Sequence, residues 1–197
     1  MLKIKNRFRS FLPVVIDIET AGVVAHTDAM LEICAIPLEI NSNNKWQAGE
    51  IIHQHVEPFE GANLCPKSLE FIGMKDPYHP FRFAKPEIEV LKILFSKINI
   101  LLKQHRCTRA VLVGHNAWFD LLFLKAAWER CKLDSPFHSF TSFDTATLSG
   151  LIFGQTVLAK ACHRAKIKFD ANEAHSAIYD AEKTAELFCK MINDYDA

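Results

Sequence analysis

The spacing of apolar residues changes along the chain, and each change predicts an element. Val14, Val15, Ile16 and Ile18 enclose Asp17 and Glu19, which predicts a buried strand over Val14 to Thr20. Alternation along a strand puts both carboxylates on one face. Leu31 to Ile40 is a second apolar run, Asn41-Ser42-Asn43-Asn44 a turn, and Ile51 to Val56 a third strand. Connections this short require antiparallel neighbours. Residues 57–85 carry Pro58, Pro66, Pro77 and Pro80, so irregular structure with short helices at most is expected. From Pro86 onward, Ile88, Leu91, Leu94, Phe95, Ile98, Leu101 and Leu102 follow helical spacing.

Ala110 to Val113 predicts a fully buried parallel strand ending at the turn Gly114-His115-Asn116, with a helix from about Phe119 or Asp120 to Cys131. Strand, polar turn and helix with an acid in its first turn is how open α/β sheets place ligands. Phe140 to Phe143 is a further strand, and Asp144 with Thr145 caps a helix through Leu151. Helices are expected over 156–165 and from about Ser176 to Asp194; on the latter Asp180 falls on the inner side with Ala177, Ala181 and Leu187. The order predicts an α/β fold: a mixed five-stranded sheet, a three-strand antiparallel meander followed by two parallel strands, flanked by helices. One domain over residues 1–197 accommodates it.

Composition narrows the function. Hydrophobic residues make up 49% of the chain, enough for a continuous core without staples. Lys plus Arg equals Asp plus Glu at 23 each, so no global field attracts polyanions and any nucleic-acid contact must be local. Cys34, Cys65, Cys107, Cys131, Cys162 and Cys189 are dispersed, without C-x-x-C or finger spacing, as expected of reduced thiols. The amino terminus is basic but has no signal-peptide core, and no run of about 18 apolar residues occurs. A soluble, cytoplasmic protein without a membrane role is expected. Lys3, Lys5, Arg7 and Arg9 alternate, so an extended segment over residues 2–10 would align four cations as a phosphate-contacting strip; a solubilising terminus is the alternative.

Two carboxylates side by side on a strand repel unless a cation lies between them. An oxygen site for Mg²⁺ or a similar hard ion is one reading of Asp17 and Glu19; a solvated strand end is the other. Asp120 at a helix start and Asp180 on a buried helix side supply further acids. Four carboxylates from three elements match a two-metal site for phosphodiester hydrolysis. His175, five residues before Asp180, can reach an attacking water as general base.

Asp17-Ile18-Glu19-Thr20, Gly114-His115-Asn116-Ala117-Trp118-Phe119-Asp120 and His175-Ser176-Ala177-Ile178-Tyr179-Asp180 resemble the three motifs of the DEDDh 3'-to-5' exonucleases. Beyond the motifs, Arg7-Phe8-Arg9, His55-Val56-Glu57-Pro58-Phe59 and Gly154-Gln155-Thr156-Val157-Leu158 extend the likeness over essentially the whole chain. The resemblance implies an RNase H-like sheet. It implies two Mg²⁺ ions, for which Mn²⁺ can substitute, on Asp17, Glu19, Asp120 and Asp180, with His175 as the base. It also implies that Phe71, Phe119, Phe137 and Phe140 stack on the last bases of the 3' end. A homodimer is implied in which Arg7, Arg9 and Arg109 of one subunit face the active site of the other. The expected activity is exoribonucleolytic trimming of tRNA-like RNA with short 3' overhangs, releasing nucleoside 5'-monophosphates, with single-stranded DNA as a second substrate. A DNA-directed proofreading exonuclease and a catalytically silent nucleic-acid scaffold are the rivals. Val23 stands where the resemblance has an aromatic ring and Lys67 where it has an acid, so terminal-base preference is where this chain departs.

Overall fold

The computed structural model describes residues 3–195; Leu2 of the basic segment and the outermost residues of the 1–197 span lie outside them. Strand β1 (Phe11–Thr20) is the axis of the sheet. It pairs antiparallel with β2 (Met30–Ile40), and β2 pairs antiparallel with β3 (Trp46–Ala48) and β4 (Ile52–His55). On its other edge β1 runs parallel to β5 (Arg109–Gly114), and β5 parallel to β6 (Phe137–Asp144).

The predicted meander and parallel pair are both present, with one difference in number. Six strands occur among the described residues because the third meander strand is broken into β3 and β4. Gly49 sits at the break, its N–H donating to the Pro37 carbonyl at 2.9 Å. A Cβ there would lie 2.6 Å from that oxygen, so only glycine lets the backbone come this close.

Helix α1 (Pro66–Phe71) is the one short α-helix in the proline-rich segment, which also holds a 3-10 turn at Pro80–Arg82. Helix α2 (Glu87–His105) starts after Pro86 and buries Val90, Leu91, Leu94, Phe95, Ile98 and Leu102. Helix α3 (Ala117–Arg130) follows β5, α4 (Thr145–Phe153) follows β6, and α5 (Leu158–Arg164) leads to α6 (Ala177–Tyr195). Along α6, Ala177, Ala181 and Ala185 are fully buried, and small side chains at this four-residue spacing let the helix approach β1 closely.

The expected extended strip at the amino terminus is corrected. Ile4–Asn6 and Phe8–Ser10 form two 3-10 turns, and Phe8, Arg9 and Ser10 all have positive φ. Ile4 drops into the core and Phe8 packs 4.7 Å from the Phe143 ring, so burial of the two apolar positions overrides the alternating pattern. No helix among the described residues is long and apolar enough to cross a membrane. The six cysteines are free; Cys34, Cys162 and Cys189 are buried and the other three partly so.

Candidate active site

Strand β1 presents Asp17 and Glu19 from one face, and the close approach of α6 brings Asp180 to them. Oxygens of these three carboxylates all lie within 4.8 Å of one another. Asp120 reaches the same strand from the first turn of α3, where its Oδ1 accepts a hydrogen bond from the Ile18 N–H at 3.1 Å. Gly114 permits that turn: a Cβ on it would stand 3.0 Å from the Ala117 Cα and 3.3 Å from Asp120 Oδ2.

His175 precedes α6 with a left-handed backbone (φ 66°), and its N–H donates to Asp180 Oδ2 at 3.0 Å. Its imidazole lies exposed, 4.4 Å from the Phe71 ring. The two halves of the third motif are therefore tied by main-chain geometry.

Electrostatics follow from the crowding. Burial, then the charges of Asp120, Glu19 and Asp180, hold the Asp17 carboxyl well above the usual carboxylate range. Burial, then Glu32 and Asp180, push Glu19 up to about 7. Asp120 and Asp180 are raised as well, chiefly by burial, against the opposing effect of the hydrogen bonds each accepts. Carboxylates pressed together this way favour a divalent cation, and a donor set made of oxygens alone fits a hard one.

A cavity of about 290 Å³ opens beside Glu19, with Phe71 and Phe119 on its walls together with Val23 and Lys67. Two of the four expected stacking rings are thus at the site, and so are both positions where this chain departs from the resemblance. Phe137 is not there. It is 3% exposed and packs 6.3 Å from Phe95, so the expectation that it stacks on a base is corrected: the first residue of β6 is part of the core. Phe140 is exposed, sits edge-on to His138 at 4.4 Å and does not line the cavity.

Arg9 and Arg109 lie together at the far end of the sheet. Phe11 pairs in register with Arg109, Arg9 lies over the Phe11 ring at 5.3 Å, and Arg109 donates to the Ser135 carbonyl at 3.0 Å. Arg7 lies over Phe8 at 5.1 Å. Six residues of strand, roughly 20 Å, separate Phe11 from Asp17. Asp144 has the capping role expected of it, accepting from the Ala146 N–H at 2.9 Å and also from the Asn116 N–H at 3.0 Å.

Glu32 was not singled out by the sequence. It pairs in register with Glu19 on one side and His55 on the other, and its Oε1 lies 2.7 Å from His53 Nε2. An acid inside the apolar run Met30-Leu31-Glu32-Ile33-Cys34 of a strand predicted to pair with the acidic one was the available signal.

Fold and carboxylate cluster together are those of a metal-dependent nuclease. The family model described as Exonuclease (RNase_T) matches residues 14–188. Ribonuclease T of Vibrio vulnificus strain YJ016 is 56% identical over 197 residues, covering 100% of this chain and 91% of the relative. Ribonuclease T of Photorhabdus laumondii is 53% identical over 191 residues, 96% of this chain and 88% of the relative. Among solved structures, the nuclease domain of 3'hExo, a DEDDh family member bound to rAMP, superposes with a TM-score of 0.68 at 17% identity, over 93% of this chain and 92% of that one. That likeness bears on the fold alone. The chain belongs to the ribonuclease T family of 3'-to-5' exoribonucleases.

Proposed function

We propose that this chain trims the 3' ends of structured RNAs such as tRNA precursors one nucleotide at a time, releasing nucleoside 5'-monophosphates, and accepts single-stranded DNA as a second substrate. The observation that carries the reading is the convergence of the Asp17, Glu19 and Asp180 carboxylates beside a cavity walled by Phe71 and Phe119. A silent scaffold has no use for such repulsion.

Asp17, Glu19, Asp120 and Asp180 would hold two Mg²⁺ ions, which when bound supply Lewis acidity at the scissile phosphate and favour ionisation of the attacking water. His175, exposed at the rim, takes the proton of that water as general base. Its main-chain bond to Asp180 fixes the ring's origin relative to the cage. Phe71 and Phe119 grip the terminal base by stacking, which tolerates any base. The exposed Val23 leaves that grip open on one side, and Lys67 offers a cation at the cavity wall.

Arg9 and Arg109 stand roughly 20 Å along the strand from the acids of their own chain, and Arg7 belongs to the same amino-terminal segment. A homodimer that sets these arginines against the partner's active site supplies local phosphate contacts to a chain of zero net charge.

Digestion of a tRNA-like RNA with a 3' overhang, read at nucleotide resolution beside single-stranded DNA and blunt duplex, tests the substrate reading. Stepwise shortening of the overhang that stops at the duplex is the expected result. Preference for DNA, or cutting within the duplex, would turn the reading toward a proofreading enzyme.

A further inference from the structure

Between α1 and α2, three large rings stand in water: Tyr78 is 64% exposed, Phe81 81% and Phe83 80%. Rings within six residues of one another are rarely left bare unless something covers them. The segment is held in place by bonds to the sheet. Arg82 donates to the Leu31 carbonyl at 2.7 Å and to the Pro77 carbonyl. The Lys85 N–H donates to the His55 carbonyl at 3.1 Å, and the Glu57 N–H to the Lys85 carbonyl at 2.9 Å. Asp76 accepts from the Tyr78 N–H at 2.9 Å, and His79 Nδ1 accepts from the Phe81 N–H at 3.3 Å, with the His79 and Phe81 rings edge-on at 5.3 Å. Pro77 and Pro80 stiffen the remainder.

These anchors locate the segment that carries the rings. His55 belongs to the register row Glu19, Glu32, His55 and Leu31 adjoins it, so the segment is pinned to the sheet at the level of the catalytic acids. Three strand spacings, about 15 Å, separate it from β1. It is also the direct continuation of α1, which carries Phe71 at the base cavity. Charge over residues 75–85 is net positive, with Lys75, Arg82 and Lys85 against Asp76 alone.

We propose that Tyr78, Phe81 and Phe83 form a second stacking platform that holds RNA bases upstream of the terminal nucleotide, on a segment of net positive charge. Bare rings held on a rigid turn give a stacking surface that grips a single strand without reading its sequence. The inference rests on the reading of the site as one that acts on RNA 3' ends. It assigns this chain a grip on longer single-stranded ends that the cavity at Phe71 and Phe119 cannot supply.

The test compares the native full chain with Phe81→Ser and with the combined Tyr78→Ser, Phe81→Ser, Phe83→Ser variant. Substrates are a dinucleotide and a single-stranded RNA of about 12 nucleotides. Turnover is measured with Mg²⁺, and binding of the longer RNA by fluorescence anisotropy with Ca²⁺ in its place. Dinucleotide kinetics stay as in the native protein. For the longer RNA, KM and Kd rise about tenfold for Phe81→Ser and further for the combined variant, with kcat unchanged. Unchanged affinity for the longer RNA overturns the proposal. So does an affinity loss that accompanies dissociation of a dimer in sedimentation, which would make the rings a protein interface. If the native chain hydrolyses neither RNA, the reading of the catalytic site fails, and the anisotropy comparison still decides the platform.

Discussion

Asp120 accepts a hydrogen bond from the main-chain N–H of Ile18, the residue between Asp17 and Glu19, at 3.1 Å. One bond therefore ties the helix-borne acid to the strand-borne pair. It also fixes the distance between carboxylates that repel one another and spares a buried N–H from going unpaired.

Replacing Asp120 by Asn keeps an acceptor for Ile18 and removes a charge. Divalent-ion affinity and kcat are expected to fall by at least a hundredfold, while the melting temperature in EDTA stays level or rises. Calorimetric metal titration together with thermal melting checks both outcomes.

The raised pKa of Glu19 makes a signed prediction about pH. An acid whose folded pKa is raised above its unfolded value of 4.5 stabilises relative to its ionised state below that value, and the benefit is lost as pH climbs through about 7. In EDTA, Glu19→Gln should match the native chain near pH 4 and become the more stable of the two above pH 7, by on the order of 3 kcal/mol at most. Paired denaturant titrations across that window measure it. Mg²⁺ should reverse the order at neutral pH by binding the native carboxylates.

Phe71 and Phe137 should separate cleanly. Phe71→Ala is expected to raise KM for RNA about tenfold and leave the melting temperature alone, because Phe71 is 66% exposed. Phe137→Ala empties a core position and should cost about 3–5 kcal/mol of stability with little effect on KM in the folded fraction.

The separation between the arginines and the acids predicts complementation between subunits. Asp17→Asn and Arg9→Glu/Arg109→Glu chains should each be nearly inactive on RNA. Mixed and allowed to exchange, they should recover a substantial fraction of native activity, because the mixed dimer joins intact acids to intact arginines. Additive residual rates after mixing would mean that the arginines act within their own chain, or not at all.

Much of this was legible in the sequence because single periods decide single elements. Strand β1, helix α2 and the inner side of α6 follow from alternation or helical spacing, and the acids of the cage lie on those elements or at the start of α3. Opposing cases share one cause: burial that local pattern does not encode. The alternating cations of residues 3–9 suggested a strand, but Ile4 and Phe8 find the core only if the chain coils into 3-10 turns. The resemblance implied a stacking role for Phe137, but the β5–β6 register sets it opposite Ala110 and buries it. Glu32 became visible only once β2 was in register with β1, since its relation to Glu19 is a property of pairing.

Single-turnover hydrolysis of a 5'-labelled RNA by native protein and by Asp17→Asn, with Mg²⁺ and with matched circular dichroism spectra, bears most directly on the site. Native protein should shorten the RNA from its 3' end in single-nucleotide steps, and Asp17→Asn should leave it intact while remaining folded. Stepwise shortening by Asp17→Asn at a rate near the native one would contradict the assignment of the acidic strand as the centre of catalysis.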